Sequence, residues 1–172
     1  MMPPVAEPSE ANGFLLEHAR LLLDSHRRLT GRHLVPAAVP PEQAARDLYF
    51  APFVVLSHNA EADPLFTYAN LTAQRLFCMP WAEIVGMPSR YSAEAMQRED
   101  RQRLLERVAR SGFVDDYQGV RVDKTGRRFL VSNATVWNLT DRTGQPVGQA
   151  AAFSQWQPLN GREAPRCCDD GP

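Results

Sequence analysis

The spacing of apolar residues divides the chain into a short series of strands and helices. The run FVVLS (53–57) has the continuous apolar character of a buried strand, and residues 64–69 alternate as a second strand. The short polar loop between them predicts an antiparallel hairpin. Helical spacing then predicts a helix over 71–77, a single turn after Pro80, and a longer surface helix over 92–111.

The second strand and the first of these helices meet at Asn70. Strict alternation places Phe66 and Tyr68 together on one face of that strand. Asparagine is a preferred helix N-cap because its side-chain oxygen accepts a backbone N–H of the first turn. We therefore predict that Asn70 caps the helix and stabilises the fold by about 1 kcal/mol.

Three strands close the domain, over 113–122, 127–139 and 147–156. They are joined by the turns DKTG and DRTG, in which Gly126 and Gly144 supply positive φ and the aspartates bond the turn backbone. Tight turns in succession give an antiparallel meander. The element order predicts an α+β fold, with a five-stranded antiparallel sheet and short helices on one face.

An N-terminal helix precedes the sheet. Residues 1–12 and 158–172 are predicted to be disordered tails, 13–46 a helix followed by a proline-rich linker at 35–43, and 47–157 the folded domain. Gly31 stands where a C-terminal helix cap is expected. The apolar stripe of the helix comprises Phe14, Leu15, Ala19, Leu22, Leu23 and Leu29.

Two roles for this stripe remain open: it covers its own domain, or it forms a homodimer contact. The strand over 127–139 is apolar on both faces, which indicates burial on both. Helices would cover one face, and the N-terminal helix or a partner would cover the other. The sequence does not decide between these alternatives.

The charge and the targeting signals of the sequence do not indicate a particular class of partner. The chain has 172 residues and a net charge of −1, so no overall field favours nucleic acid or an anionic membrane. The arginines of 92–111, including Arg101, alternate with acidic residues, which predicts a salt-bridged solvent face. The N-terminus lacks a basic stretch followed by an apolar core, so we expect no signal peptide, and no apolar run is long enough to span a bilayer. Three cysteines without metal spacing predict a reducing compartment without disulfides. We expect a cytoplasmic protein; the Cys167-Cys168 pair is left without a role.

Catalytic and metal-binding motifs are not found in the sequence. Ser57 and His58 are adjacent, but neighbours on a strand point to opposite faces. The histidines form no i, i+4 pair, no cysteine pair has ligand spacing, and no phosphate-binding glycine loop occurs. We therefore expect no enzyme activity and no bound metal.

Long motifs resemble those of a known family. The YAN corner, WAEIVGMPS, REDRQRLLERVARSG and DKTGRRF resemble the PAS sensory domain. More narrowly, LLLDSHRRLTGRHLV, LYFAPFVVLSHNAEADPLFTYANLTAQRLF and ATVWNLTDRTGQPVGQAAAFSQW resemble standalone bacterial proteins of the MEKHLA domain, a PAS-related module. The resemblance covers about 13–157 and implies a PAS-like fold without an attached enzymatic activity.

Cofactor signatures of PAS domains are not met. Residues 92–111 contain no histidine for haem, and 81–112 contain no cysteine for a covalent flavin; Cys78 lies on the wrong helix. The cofactor is therefore unknown. Aromatic and polar residues suited to a small-ligand pocket are present, although the same side chains could simply fill the core. These candidates are Tyr68, Phe77, Trp81, Tyr117, Asn133 and Trp137.

We predict a non-enzymatic sensory or regulatory module that binds a small ligand. The alternative is a protein–protein interaction or dimerisation module without a ligand, using the N-terminal helix or the sheet. No nucleic-acid or membrane partner is expected.

Overall fold

In the computed structural model of the chain, residues 5–93 and 98–159 are described. They form an antiparallel sheet with α-helices on both sides. The strands are β1 (Val54–Asn59), β2 (Phe66–Ala69), β3 (Phe113–Val122), β4 (Arg128–Thr140), β5 (Pro146–Phe153) and β6 (Gln155–Pro158). The helices are α1 (Leu16–Thr30), α2 (Pro41–Tyr49), α3 (Leu71–Phe77), α4 (Trp81–Ile84) and α5 (Arg98–Ser111), with 3₁₀ turns at Glu10–Asn12 and Ser89–Ser92.

The sheet has the strand order β2-β1-β5-β4-β3, with β6 also paired to β4. The prediction of an α+β antiparallel sheet is confirmed, but the described chain has six strands where five were expected. The predicted last strand is interrupted at Ser154, and its two parts pair with different stretches of β4. Between those stretches, Asn133 has a left-handed backbone with φ of 53°.

Each face of the sheet carries its own apolar cluster. We call the side packed against α3 and α5 the inner face; its strand residues include Val54, Leu56 and Val131. We call the side beneath α1 and α2 the outer face; its strand residues include Val55 and Trp137. The two-sided apolar pattern of β4 thus reflects burial on both faces.

The N-terminal helix packs on its own sheet. Ala19 and Leu22 are fully buried in the outer-face cluster, and Leu15 and Leu29 pack against it. The stripe is therefore used within the chain, which removes the residues on which a dimer contact through this helix was based. Folding α1 onto the sheet gives β4 the second cover that its pattern required.

The segments around α1 differ from expectation. Residues 5–12, predicted as part of a disordered tail, contact the domain: Trp81 donates its indole N–H to the Val5 carbonyl at 2.8 Å, and Tyr49 donates its hydroxyl hydrogen to Glu7. Helix α2 occupies part of the predicted linker because Pro41 stands at the first helical position, where proline needs no N–H partner. The tail after residue 159 lies outside the described residues.

Histidines of α1 lie against outer-face aromatic rings. His18 Nε2 is 2.9 Å from the Ser57 hydroxyl, and its ring stacks on Tyr68 with 5.6 Å between centroids. The His26 ring meets Trp137 edge-on at 4.9 Å. Burial lowers the pKa of His18 to about 4 and is also the main reason that the pKa of His26 is lowered.

Asn70 is fully buried and makes more contacts than an N-cap requires. Its Oδ1 accepts the Ala73 N–H at 3.1 Å, as predicted, and also the Val55 N–H at 3.0 Å. Its Nδ2 donates to the Leu48 carbonyl at 3.1 Å and the Phe53 carbonyl at 2.8 Å. The side chain therefore joins α3, β1 and the end of α2.

The two glycine turns have the geometry that their sequence indicates. Gly126 and Gly144 have φ of 86° and 85°. Asp123 Oδ1 accepts backbone N–H groups of its own turn, and Asp141 Oδ1 does the same in the second turn. The predicted helix over 92–111 is represented by α5; part of its predicted first turn, 94–97, lies outside the described residues.

Candidate functional site

A cavity of about 60 Å³ lies on the inner face of the sheet, beneath α5. A water needs about 10–15 Å³ by this measure, so the cavity has room for about four waters or a very small organic molecule. Most of its wall is apolar. The apolar side chains are contributed by Leu56, Phe66, Phe77, Leu104, Leu105, Val131, Ala134, Val136, Ala151 and Phe153.

Two arginines supply the charge in this wall. Arg101 extends from α5 and donates to the Ser89 hydroxyl; Arg121 on β3 donates to the Ser92 hydroxyl at 3.4 Å. The Arg121 guanidinium also lies 5.7 Å from the centre of the Tyr117 ring. These hydrogen-bond partners are uncharged, and among the described residues neither guanidinium forms an ion pair with a carboxylate.

The described cavity wall contains no aspartate or glutamate. Asp63 acts on Arg101 over a longer range, but its carboxylate is paired with Arg90, 3.1 Å from Nε. Burial, followed by the nearby charge of Arg121, lowers the pKa of Arg101 to about 10. The site is thus electropositive and partly desolvated.

Two hydrogen-bond acceptors face the cavity from paired strands. His58 on β1 is opposite Gln149 on β5. His58 Nδ1 donates to the Asn59 carbonyl at 2.8 Å, so Nε2 is the acceptor in the neutral ring. Burial is the largest cause that lowers the pKa of His58, and the charges of both arginines add to it. Gln149 Oε1 is buried and has no donor among the described residues.

Gly119 determines the position of the Tyr117 ring in the wall. A Cβ at residue 119 would collide with the Tyr117 hydroxyl and ring. β3 is irregular on both sides of Tyr117, where its pairing with β4 shifts. The absence of a side chain at Gly119 therefore lets the ring lie along the strand, within reach of Arg121.

We expect Gly119→Ala to lower the free energy of unfolding by about 2 kcal/mol, because the new methyl group displaces a packed ring. Thermal unfolding of a double-mutant cycle measures this coupling. In a Tyr117→Ala background, the same substitution should cost close to nothing. An equal cost in both backgrounds would show that the ring does not depend on Gly119.

The structure brings two of the six candidate ligand residues to the cavity: Phe77 and Tyr117 line it. Tyr68, Trp81 and Trp137 belong to the outer-face cluster instead. Asn133 is exposed and donates from Nδ2 to Gln155 Oε1 at 2.8 Å. These four residues therefore contribute to folding rather than to the wall of the cavity.

Two irregular positions in the strands explain why some of the predicted residues line the cavity and others lie on the outer face. Pairing of β1 with β2 shifts between Ser57 and His58, so Thr67 is the extra residue, and Phe66 and Tyr68 belong to opposite faces. The prediction that they share a face is wrong. In β4, the left-handed Asn133 interrupts the alternation in the same way, and Trp137 therefore points to the outer face.

Sequence reasoning missed the arginines, His58 and Gln149. Arg101 was assigned to a salt-bridged solvent face, and that assignment is wrong for this residue. It does hold for Arg103, whose guanidinium lies 3.6 Å from Asp100 on the same helix. The overlooked signal was spacing, because Arg101, Leu104 and Val108 fall on one helical stripe.

A second cavity, of about 220 Å³, lies between α1 and the turn at Asp141. The described residues hold no cluster of three or more histidine, cysteine, aspartate or glutamate side chains suited to a metal. Cys78 is disulfide-bonded, so the expectation of a chain without disulfides is wrong. Within the same residues, no helix combines the length and apolarity needed to cross a bilayer.

Solved structures with the same fold are PAS and light-oxygen-voltage domains. A PAS domain from Colwellia psychrerythraea has a TM-score of 0.59 and 12% identity, over 70% of this chain and 98% of that one. The photo-excited blue-light photoreceptor Vivid has a TM-score of 0.54 and 14% identity, over 78% and 94%. An RNA-binding light-oxygen-voltage receptor has a TM-score of 0.55 and 17% identity, over 70% of this chain and 33% of that one.

These identities establish a shared fold alone. A search of curated proteins found no match. The model of the MEKHLA domain matches residues 16–158, which is most of the chain. It spans α1 and every strand, including the N-terminal helix that covers the outer face. The chain therefore belongs to the MEKHLA domain family, whose fold here is that of a PAS domain.

Proposed function

We propose that the chain is a non-enzymatic sensory module that binds a small molecule in the inner-face cavity. The observation that carries this proposal is the convergence of Arg101, Arg121 and His58 from three elements on a mostly apolar cavity. A core that only had to be filled would not need two guanidinium groups, from α5 and β3, and an imidazole from β1 at one point. A few convergent polar groups in an apolar cavity are typical of ligand sites.

The flavin of related folds does not fit this site. One light-oxygen-voltage neighbour is described with a flavin analogue. Pockets for drug-sized ligands begin at about 300 Å³, whereas this cavity measures about 60 Å³. The size of the cavity favours a ligand of a few non-hydrogen atoms.

A catalytic role has little support from the geometry. Ser57 and His18 are within hydrogen-bonding distance, but Ser57 is 1% exposed and belongs to the outer face, beneath α1. Ser57 also borders the inner-face cavity, but its hydroxyl is bonded to His18 and Thr67. The oxygen that would act as a nucleophile is therefore held towards α1 and not towards a substrate in the cavity. The cytoplasmic location and the absence of a nucleic-acid partner stay predictions.

The test is a thermal-shift panel of organic acids, amino acids, sugars, nucleosides and inorganic phosphate, applied to the wild type and Ala151→Leu. Ala151 is a half-buried residue of β5 whose side chain borders the empty space. We expect at least one compound to raise the wild-type melting temperature and to lose that effect in the variant. A binding protein stabilised by 100 Kd of ligand gains about 2.7 kcal/mol.

Ala152→Ser on the outer face is the matched control, because Ala152 belongs to the outer-face cluster and is not a cavity-lining residue. It should respond to the same compound as the wild type. If no compound shifts the wild type, or Ala151→Leu responds equally, the proposed ligand site is wrong.

A further inference from the structure

The inner-face cavity combines two cationic groups with an apolar wall, and this combination restricts the ligand. Arg101 and Arg121 contact uncharged partners in Ser89, Ser92 and Tyr117. The described part of the wall supplies no carboxylate to neutralise them. Two arginines held near one another in a partly desolvated space favour the entry of an anion.

We propose that the ligand is a short-chain carboxylate whose anionic end lies between Arg101 and Arg121. This inference rests on the proposed function and specifies its ligand class. A guanidinium presents parallel N–H donors that match the two oxygens of a carboxylate. The space available, equivalent to about four waters, limits the ligand to roughly two to four carbons.

The remaining polar groups orient the ligand. His58 Nε2 and Gln149 Oε1 are acceptors on β1 and β5, so they repel a carboxylate oxygen. The carboxylate therefore faces α5 and β3, and the alkyl end faces the apolar residues of the wall, such as Leu56 and Phe153. Inorganic phosphate fits less well, because part of its oxygen shell would contact apolar side chains.

The experiment is a titration of wild-type protein with sodium propionate, propionamide and sodium phosphate at constant ionic strength, followed by amide NMR. Propionamide has nearly the same shape as propionate but no charge. We expect saturable shifts with propionate and at least tenfold weaker binding of propionamide and phosphate. Equal binding of propionate and propionamide, or tighter binding of phosphate, would overturn the proposal.

Substitution of each arginine identifies the positive charges that bind the carboxylate. Arg101→Gln and Arg121→Gln should each weaken propionate binding at least tenfold. Arg103→Gln is the matched control on the same helix, because that guanidinium faces solvent beside Asp100. If the cavity variants bind like the wild type, the inference is wrong. If one of these variants fails to fold, the comparison of propionate with propionamide on the wild type still tests whether binding requires the carboxylate charge.

The outcomes also distinguish a failure of this inference from a failure of the proposed function. A neutral compound that stabilises the wild type and fails with Ala151→Leu would keep the ligand site and reject the carboxylate. If no compound of the panel binds, both proposals fail together.

Discussion

Replacing Asn70 with alanine is expected to lower the free energy of unfolding by about 4 kcal/mol, roughly four times the cost of losing an N-cap alone. The reason is that the side chain serves four buried backbone groups. Two are N–H donors, of Val55 and Ala73, and two are carbonyls, of Leu48 and Phe53. Alanine leaves these groups without their partner in a site closed to water.

Thermal and denaturant unfolding measure this cost, and a serine variant separates its parts. Asn70→Ser keeps a good N-cap oxygen but has no amide to donate. We therefore expect serine to recover no more than about 1 kcal/mol of the loss. Asn133→Ala, at an exposed asparagine, is the control and should cost about 1 kcal/mol. If serine restored wild-type stability, Asn70 would be a cap and nothing more.

Lowering the pH from 6.5 to 4 is expected to destabilise the protein by about 3 kcal/mol through His18 alone. The pKa of His18 falls from 6.5 to about 4 on burial beneath α1. Below pH 6.5 the unfolded chain takes up a proton on this side chain that the folded chain does not. Stability is therefore fully present above pH 6.5 and is lost as the pH falls towards 4.

Unfolding curves across this pH range test the assignment. His26 and His58 also have lowered pKa values, and they change stability in the same direction. The informative quantity is consequently the difference between the wild type and His18→Gln in how steeply the free energy of unfolding depends on pH. The variant should lose about half or more of the slope between pH 6.5 and 4, whereas His33→Gln, at a surface histidine, should keep it. An unchanged slope in His18→Gln would contradict a neutral, buried ring.

Most of the fold could be predicted from local signals in the sequence. Asp123 and Asp141 recur before glycines whose backbone must be left-handed, so each turn is specified by residues three positions apart. Asn70 is specified in the same local way as a cap for α3. Its bonds to Leu48 and Phe53 were not predictable, because they join segments that are distant along the chain.

The faces of the strands were less predictable. A single extra residue at Thr67 or Asn133 moves every later side chain to the opposite face. Thr67 does not signal this by its type, since threonine is common in regular strands. Asn133 is of a type that adopts the left-handed backbone more readily than most, and that signal was not used. Tyr68 and Trp137 were therefore assigned to a ligand site, although they pack beneath α1.

The charged residues of the candidate site could not be recognised from the composition of their segments. Arg101 stands among arginines and acids that form exposed ion pairs, and only its spacing from Leu104 and Val108 distinguishes it. Arg121 lies on a strand of mixed character, and its position at the cavity depends on how β3 pairs with β4. Convergence of these residues is a property of the tertiary structure.

The central claim is that the inner-face cavity, and not the outer face, receives the ligand. The most direct measurement is a map of backbone amide shifts for the wild type with and without the pooled compounds of the panel. The account predicts changes concentrated at His58, Leu105, Ala134 and Ala151, around the cavity. An unchanged spectrum, or changes confined to the outer face around Trp137, would contradict it.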